Sequence, residues 1–187
     1  MFYVVLAVIA AAVVGLDQLT KWLTISNIPL YGDGPDILGL FHITHMENSG
    51  AAWSMMEGQT WLFVLILAIF LAILVVAIWK KWVSKKPELI CLALIAGGGI
   101  GNAIDRIFRG GKVTDMIQFS FWRSFPTFNI ADTFITVGCI VLVVYILFFD
   151  RTGKKKPAEE LQEAKKEETA EEPQEDPKEE TPEEPEK

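Results

Sequence analysis

The stretch WLFVLILAIFLAILVVAIW, residues 61–79, contains no charged residue and has a tryptophan at each end. A helix crosses a bilayer with about 20 mostly apolar residues, and aromatic rings settle at the two membrane interfaces. The stretch therefore predicts a membrane-spanning helix, and it makes the chain a membrane protein.

Three further segments predict spans on the same grounds, and they cover residues 2–22, 88–105 and 130–149. The first is short and reaches span length only by including polar residues near its end. A cleaved signal peptide is the alternative for it, but its leading MFY carries no positive charge and three more apolar segments follow. We expect an all-α membrane protein with four transmembrane helices, formed by a domain at residues 1–152.

Lysine and arginine in short loops set the orientation, because they stay on the cytoplasmic side. Two basic clusters flank the predicted spans, namely Lys80, Lys81, Lys85 and Lys86, and then Arg151, Lys154, Lys155 and Lys156. Both termini are therefore expected in the cytoplasm, and the loops at 24–60 and 106–129 outside it. The first of these loops alternates turn signals with short apolar runs, which predicts a small extracytoplasmic β-rich piece.

The C-terminal 31 residues have a different composition, with 14 acidic and 4 basic residues, five prolines and no aromatic residue. Such a segment cannot bury enough apolar surface to offset its chain entropy. We predict an acidic, disordered cytoplasmic tail at 153–187, and docking of a basic partner is the alternative. The acidic net charge of −7 belongs to this tail and not to the membrane domain.

Polar residues gather at the outer ends of the predicted spans, although they are scattered along the chain. They are Asp17, Lys21, Asn48, Asn102, Asp105, Arg106, Asp115, Asn129 and Asp132. Helix ends meeting water explain some of them, since Asn129 could cap the fourth span with Asp132 at its third position. The remaining carboxylates and amides exceed what capping requires, and ionisable residues at a membrane indicate function.

Two carboxylates in a site of low dielectric share one proton, so that one acts as an acid and the other as a base. Asp132 begins a span, and Asp115 lies in the apolar loop segment VTDMI. Asp105 precedes Arg106, which favours a structural ion pair, and Asp17 faces Lys21 four residues on. From the residues alone, the choice among these carboxylates stays open.

The remaining reactive side chains predict no metal or redox site. Cys91 and Cys139 fall in apolar runs, where they behave as small hydrophobes. His42 and His45 belong to no zinc-binding pattern and are interpreted as a surface pair.

Five segments in order resemble the lipoprotein signal peptidases of bacteria, also called signal peptidase II. They are DQLTK (17–21), ENSGAAW (47–53), GGGIGNAIDRI (97–107), GKVTDMI (111–117) and FNIADTFITVG (128–138). The chain departs from the family at Trp53 and Met116, where phenylalanine is usual, and at Gly99, where alanine is usual. None of these departures removes a candidate catalytic group.

The resemblance implies an aspartic endopeptidase of the bacterial cytoplasmic membrane, with Asp115 and Asp132 as the catalytic pair. It implies supporting roles for Asp17, Lys21, Asn48, Gly50, Asn102, Arg106 and Asn129. The expected substrate is a prolipoprotein cut before its diacylglyceryl cysteine at the extracytoplasmic face. We expect membrane lipids as neighbours, a monomer, no cofactor and no nucleic acid.

Two other classes of protein are alternatives. A transporter would place its charges near the bilayer midplane, whereas here the centres of the spans are apolar. A membrane assembly factor without chemistry would tolerate asparagine in place of its aspartates.

Overall fold

The computed structural model describes residues 1–50 and 55–149 and contains four long apolar helices there. The helices are α1 (Phe2–Asn27), α2 (Thr60–Trp79), α3 (Lys86–Phe108) and α4 (Ile130–Phe148). Each is long and apolar enough to cross a membrane, so the prediction of four such helices is confirmed. The predicted tail, Trp53 and the basic residues from Arg151 onward lie outside the described residues.

The helix ends differ from the predicted ones, most of all in α1. This helix continues to Asn27 instead of ending near residue 22, because its polar last turns are buried: Asp17, Lys21 and Thr24 all face protein. The first loop therefore begins after residue 27. Helix α3 extends to Phe108 and ends just before Gly110, whose φ of 63° is readily adopted only by glycine.

Three antiparallel strands form one sheet in the order β1 (Asp33–Ile37), β2 (Phe41–Asn48) and β3 (Val113–Phe119). The β-rich piece predicted between the first two spans is confirmed by β1 and β2. The interpretation of residues 106–129 as a loop is wrong in part, since VTDMI belongs to β3. Its pairing partner β2 lies more than 60 residues earlier, so no local pattern indicated the strand.

Helix α3 packs against each of the other three helices, and three consecutive glycines make this possible. Successive residues of a helix point about 100° apart. A Cβ atom at Gly97 would lie 2.8 Å from a backbone oxygen of α1, and at Gly98 it would lie 2.5 Å from one of α4. A Cβ atom at Gly99 would instead meet the Cδ1 atom of Leu67 on α2 at 2.6 Å. Each glycine thus allows a different neighbouring helix to approach α3 closely.

The difference between these neighbours leads to a prediction about stability. Gly98→Ala should lower the free energy of unfolding by about 1–3 kcal/mol, because the backbone of Ala131 cannot yield to the new methyl group. Gly99→Ala should cost much less, because Leu67 can rotate and alanine favours the helix by about 1 kcal/mol. Thermal unfolding in detergent of the two matched variants tests this, and equal effects would contradict it.

The interpretation of the two histidines as a surface pair is wrong. His42 and His45 both lie on β2, where the register with β3 shifts between Ile43 and Met46, and their side chains have different surroundings. His42 contacts the exposed carboxylates of Asp33 and Asp36, whereas His45 is buried with its Nδ1 atom 2.8 Å from the Ile28 carbonyl oxygen. His45 therefore fastens the end of α1 to the sheet.

Candidate active site

The polar residues predicted to share one membrane face lie together at one end of the helix bundle. The late turns of α1 and α3, the first turn of α4 and the facing ends of β2 and β3 meet there. Helix α2 starts at the same end, where the Thr60 hydroxyl donates to the Gly111 carbonyl oxygen at 3.1 Å. The bundle is therefore polar at one end and apolar along its length.

Asp115 and Asp132 line one cavity of about 670 Å³ from different elements. The side-chain amide of Asn129 donates to Asp115 Oδ1 at 2.7 Å, and that of Asn102 donates to Asp132 Oδ1 at 2.7 Å. The side-chain amide of Asn129 also donates to Asn102 Oδ1 at 3.1 Å, and this hydrogen bond links the two asparagines. Asn48 adds a hydrogen bond to Asp115 Oδ2 at 3.0 Å. Three amides thus hold the two carboxylates in fixed positions.

Asn129 and Asp132 also form the capping box of α4. The Asn129 side-chain oxygen Oδ1 accepts a hydrogen bond from the backbone N–H of Asp132 at 2.9 Å. In return, Asp132 Oδ2 accepts one from the backbone N–H of Asn129 at 3.2 Å. The predicted cap is therefore confirmed. Capping and site building are not exclusive, because each side chain has one polar atom for the cap and another for the site.

Burial, together with the nearby charge of Asp132, raises the pKa of Asp115 to about 7. The hydrogen bonds from Asn48 and Asn129 oppose this rise, because they stabilise the ionised form. Near neutral pH, a carboxyl group with this pKa is protonated in some of the molecules and ionised in the others. The two carboxylates are coupled, so their protons belong to the pair.

A second group of charges is fully buried beneath this pair. Lys21 Nζ lies 2.8 Å from Asp17 Oδ2 and 3.2 Å from Asp105 Oδ2, and all three side chains have no exposed surface. The predicted pairing of Asp17 with Lys21 is confirmed. Lys21 also donates to Asn102 Oδ1 at 2.9 Å, so the buried charges orient the amide that holds Asp132.

The carboxylates of this group also accept hydrogen bonds from backbone N–H groups. Asp17 Oδ1 accepts from the Ala131 amide at 3.0 Å in the first turn of α4, where the helix dipole favours an anion. Asp105 Oδ2 accepts from the Thr114 amide at 3.0 Å, next to Asp115. Helices α1, α3 and α4 and strand β3 are thus joined under the site.

The prediction that Asp105 forms an ion pair with Arg106 is wrong, because Asp105 pairs with other cations. Asp105 pairs with Lys21 and, at 3.4 Å, with Arg109 Nε. Adjacent residues on a helix point in different directions, whereas residues four apart share a face. Arg106 instead turns to the cavity, donates to the Gly50 carbonyl oxygen at 3.0 Å and lies 4.4 Å from the centre of the Phe63 ring. Its Nε atom is buried and has no hydrogen-bond partner among the described residues.

The cavity continues from the polar end along an apolar wall between helices. This wall comprises Phe63, Ile66, Leu67 and Phe70 of α2, Ile95 and Gly99 of α3, and Ile135 and Val137 of α4. Phe119, Phe125 and Phe128 complete it near the sheet. Sequence reasoning missed these residues because an apolar side chain on a spanning helix has the same pattern whether it faces lipid or a cavity.

Four spanning helices, a buried pair of carboxylates and a long apolar cavity define a small membrane enzyme. A family model described as signal peptidase (SPase) II matches residues 9–148. The chain is 45% identical over 141 residues to the lipoprotein signal peptidase of Geobacillus kaustophilus, covering 75% of this chain and 92% of that one. It is 42% identical over 156 residues to that of Bacillus pumilus, covering 83% and 96%.

Among solved structures, the fold is similar to a bacterial membrane enzyme determined by the in meso method at 2.3 Å resolution. The TM-score is 0.73 with 31% sequence identity, and the match covers 81% of this chain and 93% of that one. The chain therefore belongs to the signal peptidase II family, and the resemblance found in its sequence is confirmed.

Proposed function

We propose that this chain removes the signal peptide from prolipoproteins by cutting before the diacylglyceryl cysteine, with Asp115 and Asp132 as the catalytic pair. One observation carries the proposal: two buried carboxylates from distant parts of the chain reach the same cavity and are held by linked amides. The relatives named as lipoprotein signal peptidases supply the substrate class.

The proposed reaction needs one ionised and one protonated carboxyl group. The ionised group takes a proton from water, the water oxygen bonds to the scissile carbonyl carbon, and the other group donates its proton to the carbonyl oxygen. Collapse of the tetrahedral intermediate breaks the C–N bond, and the cysteine nitrogen leaves as an amine after accepting a proton. No metal or cofactor takes part in this mechanism.

Arg106 and the asparagines act as positioning residues in this proposal. Asn102 and Asn129 fix the carboxylates, which lowers the entropic cost of reaching the geometry of attack. Arg106 lines the cavity with a buried N–H that is unpaired within the described part of the chain, so it can donate to a substrate carbonyl. The carbonyl oxygen of Gly50 accepts a hydrogen bond from the Arg106 guanidinium.

The orientation of the site is also part of the proposal. Lys80 and Lys81 follow α2, and Lys86 begins α3, at the opposite end of these helices from the site. By the distribution of basic residues, this end is cytoplasmic in a bacterial cytoplasmic membrane. The site and the sheet then face outward, Met1 and the end of α4 face inward, and the protein acts as a monomer. The apolar cavity keeps the lipid chains of the substrate out of water.

A gel-shift assay of the purified protein tests the function. The substrates are a diacylglyceryl-modified prolipoprotein and the same polypeptide without lipid. Cleavage of the lipidated form alone is expected, because the apolar cavity binds the lipid. Absence of cleavage by folded protein would contradict the proposal, and equal cleavage of both forms would contradict the substrate class.

The hydrogen bond from Asn48 leads to a prediction about pH. It stabilises ionised Asp115, so Asn48→Ala should raise the pKa of Asp115 above its value of about 7. The pH profile of kcat/KM should then move toward higher pH, whichever carboxylate acts as the base. Asn27→Ala, which changes an exposed amide at the end of α1, serves as the control. An unmoved profile, or one displaced toward lower pH, would rule out this role for Asn48.

A further inference from the structure

The turn between β1 and β2 exposes leucine where leucine is unfavourable. Leu38 and Gly39 have φ values of 54° and 66°, and the Leu40 amide donates to the Ile37 carbonyl oxygen at 3.0 Å. Asparagine and glycine favour such a left-handed turn, whereas other residues lose about 1–2 kcal/mol there. The Leu38 side chain is nevertheless 89% exposed, so contacts with the described residues do not compensate for its conformation.

Two more apolar side chains lie beside this turn. Phe121 is 70% exposed and Trp122 is 52% exposed. They are close to the turn because the Ser120 amide donates to the Leu40 carbonyl oxygen at 3.0 Å. We call these exposed residues the tip patch, and it comprises Ile37, Leu38, Leu40, Phe121 and Trp122.

The register of the sheet places the tip patch at the end of the sheet farthest from the end of α3. Strands β2 and β3 begin their pairing at Asn48 and Val113, shortly after the end of α3. Farther along, Ile117 pairs with both Ile43 and Phe128, and Phe128 lies two residues before α4. From Ile43 the strand β2 extends about 7 Å more to Phe41, and the turn at Leu38 and Gly39 lies beyond it. The turn is therefore at the end of the sheet that lies farthest from the Asn48–Val113 pair.

Exposed tryptophans mark the level of the membrane surface at this end of the bundle. Trp61 lies in the first turn of α2 and is 63% exposed, and Trp22 lies near the end of α1 and is 59% exposed. Tryptophan is enriched where the hydrocarbon meets the headgroups. Trp122 and the start of α4 belong to the same end. The tip patch therefore adds exposed apolar side chains at the end of the bundle that carries these tryptophans.

We infer that the tip patch inserts into the lipid of the membrane leaflet on the side of the active site. The charges nearest the turn are Asp33 and Asp36, and His42 partly offsets them because each of its ring nitrogens lies 3.0 Å from one of their carboxylate oxygens. The Phe119 ring lies 5.2 Å from that of Phe121 and also lines the cavity. Insertion would hold the bilayer surface against the mouth of the cavity. The inference rests on the proposed membrane topology and not on catalysis.

Fluorescent labels at single cysteines test the insertion. In the full-length chain with Cys91→Ala and Cys139→Ala, an environment-sensitive dye is attached at Leu38→Cys, and the protein is placed in vesicles of phosphatidylglycerol and phosphatidylethanolamine. Tyr31→Cys is the matched control, because Tyr31 is also exposed and has a φ of 62° but lies at the other end of the hairpin, where its amide donates to the His45 carbonyl oxygen at 2.8 Å.

The label at position 38 should emit at shorter wavelength, be quenched by spin-labelled lipid and be protected from iodide. The label at position 31 should show the opposite. Equal access of iodide to both positions would overturn the inference, and so would protection of position 38 that appears only when prolipoprotein is added. Asp132→Asn protein should give the same quenching, so failure of the proposed catalytic role is separable from failure of this inference.

A second variant removes the apolar side chain while keeping the turn. Leu38→Asn places in the turn a residue that tolerates a positive φ, so the midpoint of thermal unfolding should not fall. With the dye at Leu40→Cys, this variant should lose quenching by spin-labelled lipid, whereas Tyr31→Asn should not. Unchanged lipid quenching in Leu38→Asn would overturn the role of the tip.

Discussion

Replacing either Asp115 or Asp132 by asparagine is expected to lower kcat/KM for a lipidated prolipoprotein by about 10³-fold or more, with the fold retained. Asparagine has nearly the same size as aspartate, but it cannot exchange a proton near neutral pH. The loss should appear in kcat, because substrate binding depends mainly on the apolar cavity, which neither substitution changes.

The double variant should be little worse than either single one, since the two carboxylates act as a unit. Asp33→Asn is the matched control, because it changes an exposed carboxylate of β1 outside the cavity and should leave turnover unchanged. Normal cleavage by a folded Asp115→Asn or Asp132→Asn variant would remove that residue from the catalytic pair.

Lys21→Met is expected to lower the free energy of unfolding by about 3–5 kcal/mol, because it leaves the buried carboxylate of Asp17 without its cation and removes one of the two cations of Asp105. Lys21, Asp17 and Asp105 have no exposed surface, so bulk water does not solvate the carboxylates in the folded protein. The same change frees Asn102, which holds Asp132, so turnover should also fall. Denaturant titration in detergent micelles measures the first effect, and the cleavage assay measures the second.

Lys112→Met provides the comparison, since it breaks the exposed pair of Lys112 with Glu47 at 2.6 Å. An exposed pair contributes little to stability, so this variant should unfold like the wild type. If Lys21→Met were as stable as Lys112→Met, the ion pair between Lys21 of α1 and Asp105 of α3 would not stabilise the packing of these helices.

The sequence predicted those features that depend on neighbouring residues. Apolar runs define the helices because the bilayer sets the length of a span, and the Asn129 cap and the facing of Asp17 and Lys21 follow from helix geometry. The residues proposed for the site were named through ordered motifs, and the structure places them at one end of the bundle. Their catalytic roles stay predictions.

What the sequence could not give was the choice of contacts between distant elements. Arg106 was the obvious partner of Asp105, yet the structure pairs Asp105 with Lys21, 84 positions earlier. Strand β3 exists because β2 supplies its hydrogen bonds, and His45 is buried because α1 ends beside it.

The sequence by itself therefore determined four apolar helices, the cap of the fourth and the kinds of side chain available at their polar ends. Only the tertiary structure decided which charge pairs with which, where the sheet lies and which apolar residues line a cavity instead of facing lipid. The physical reason is that hydrophobic periodicity and capping act within a few residues, whereas these contacts depend on helices meeting at particular faces. In this chain, consecutive glycines of α3 set those faces.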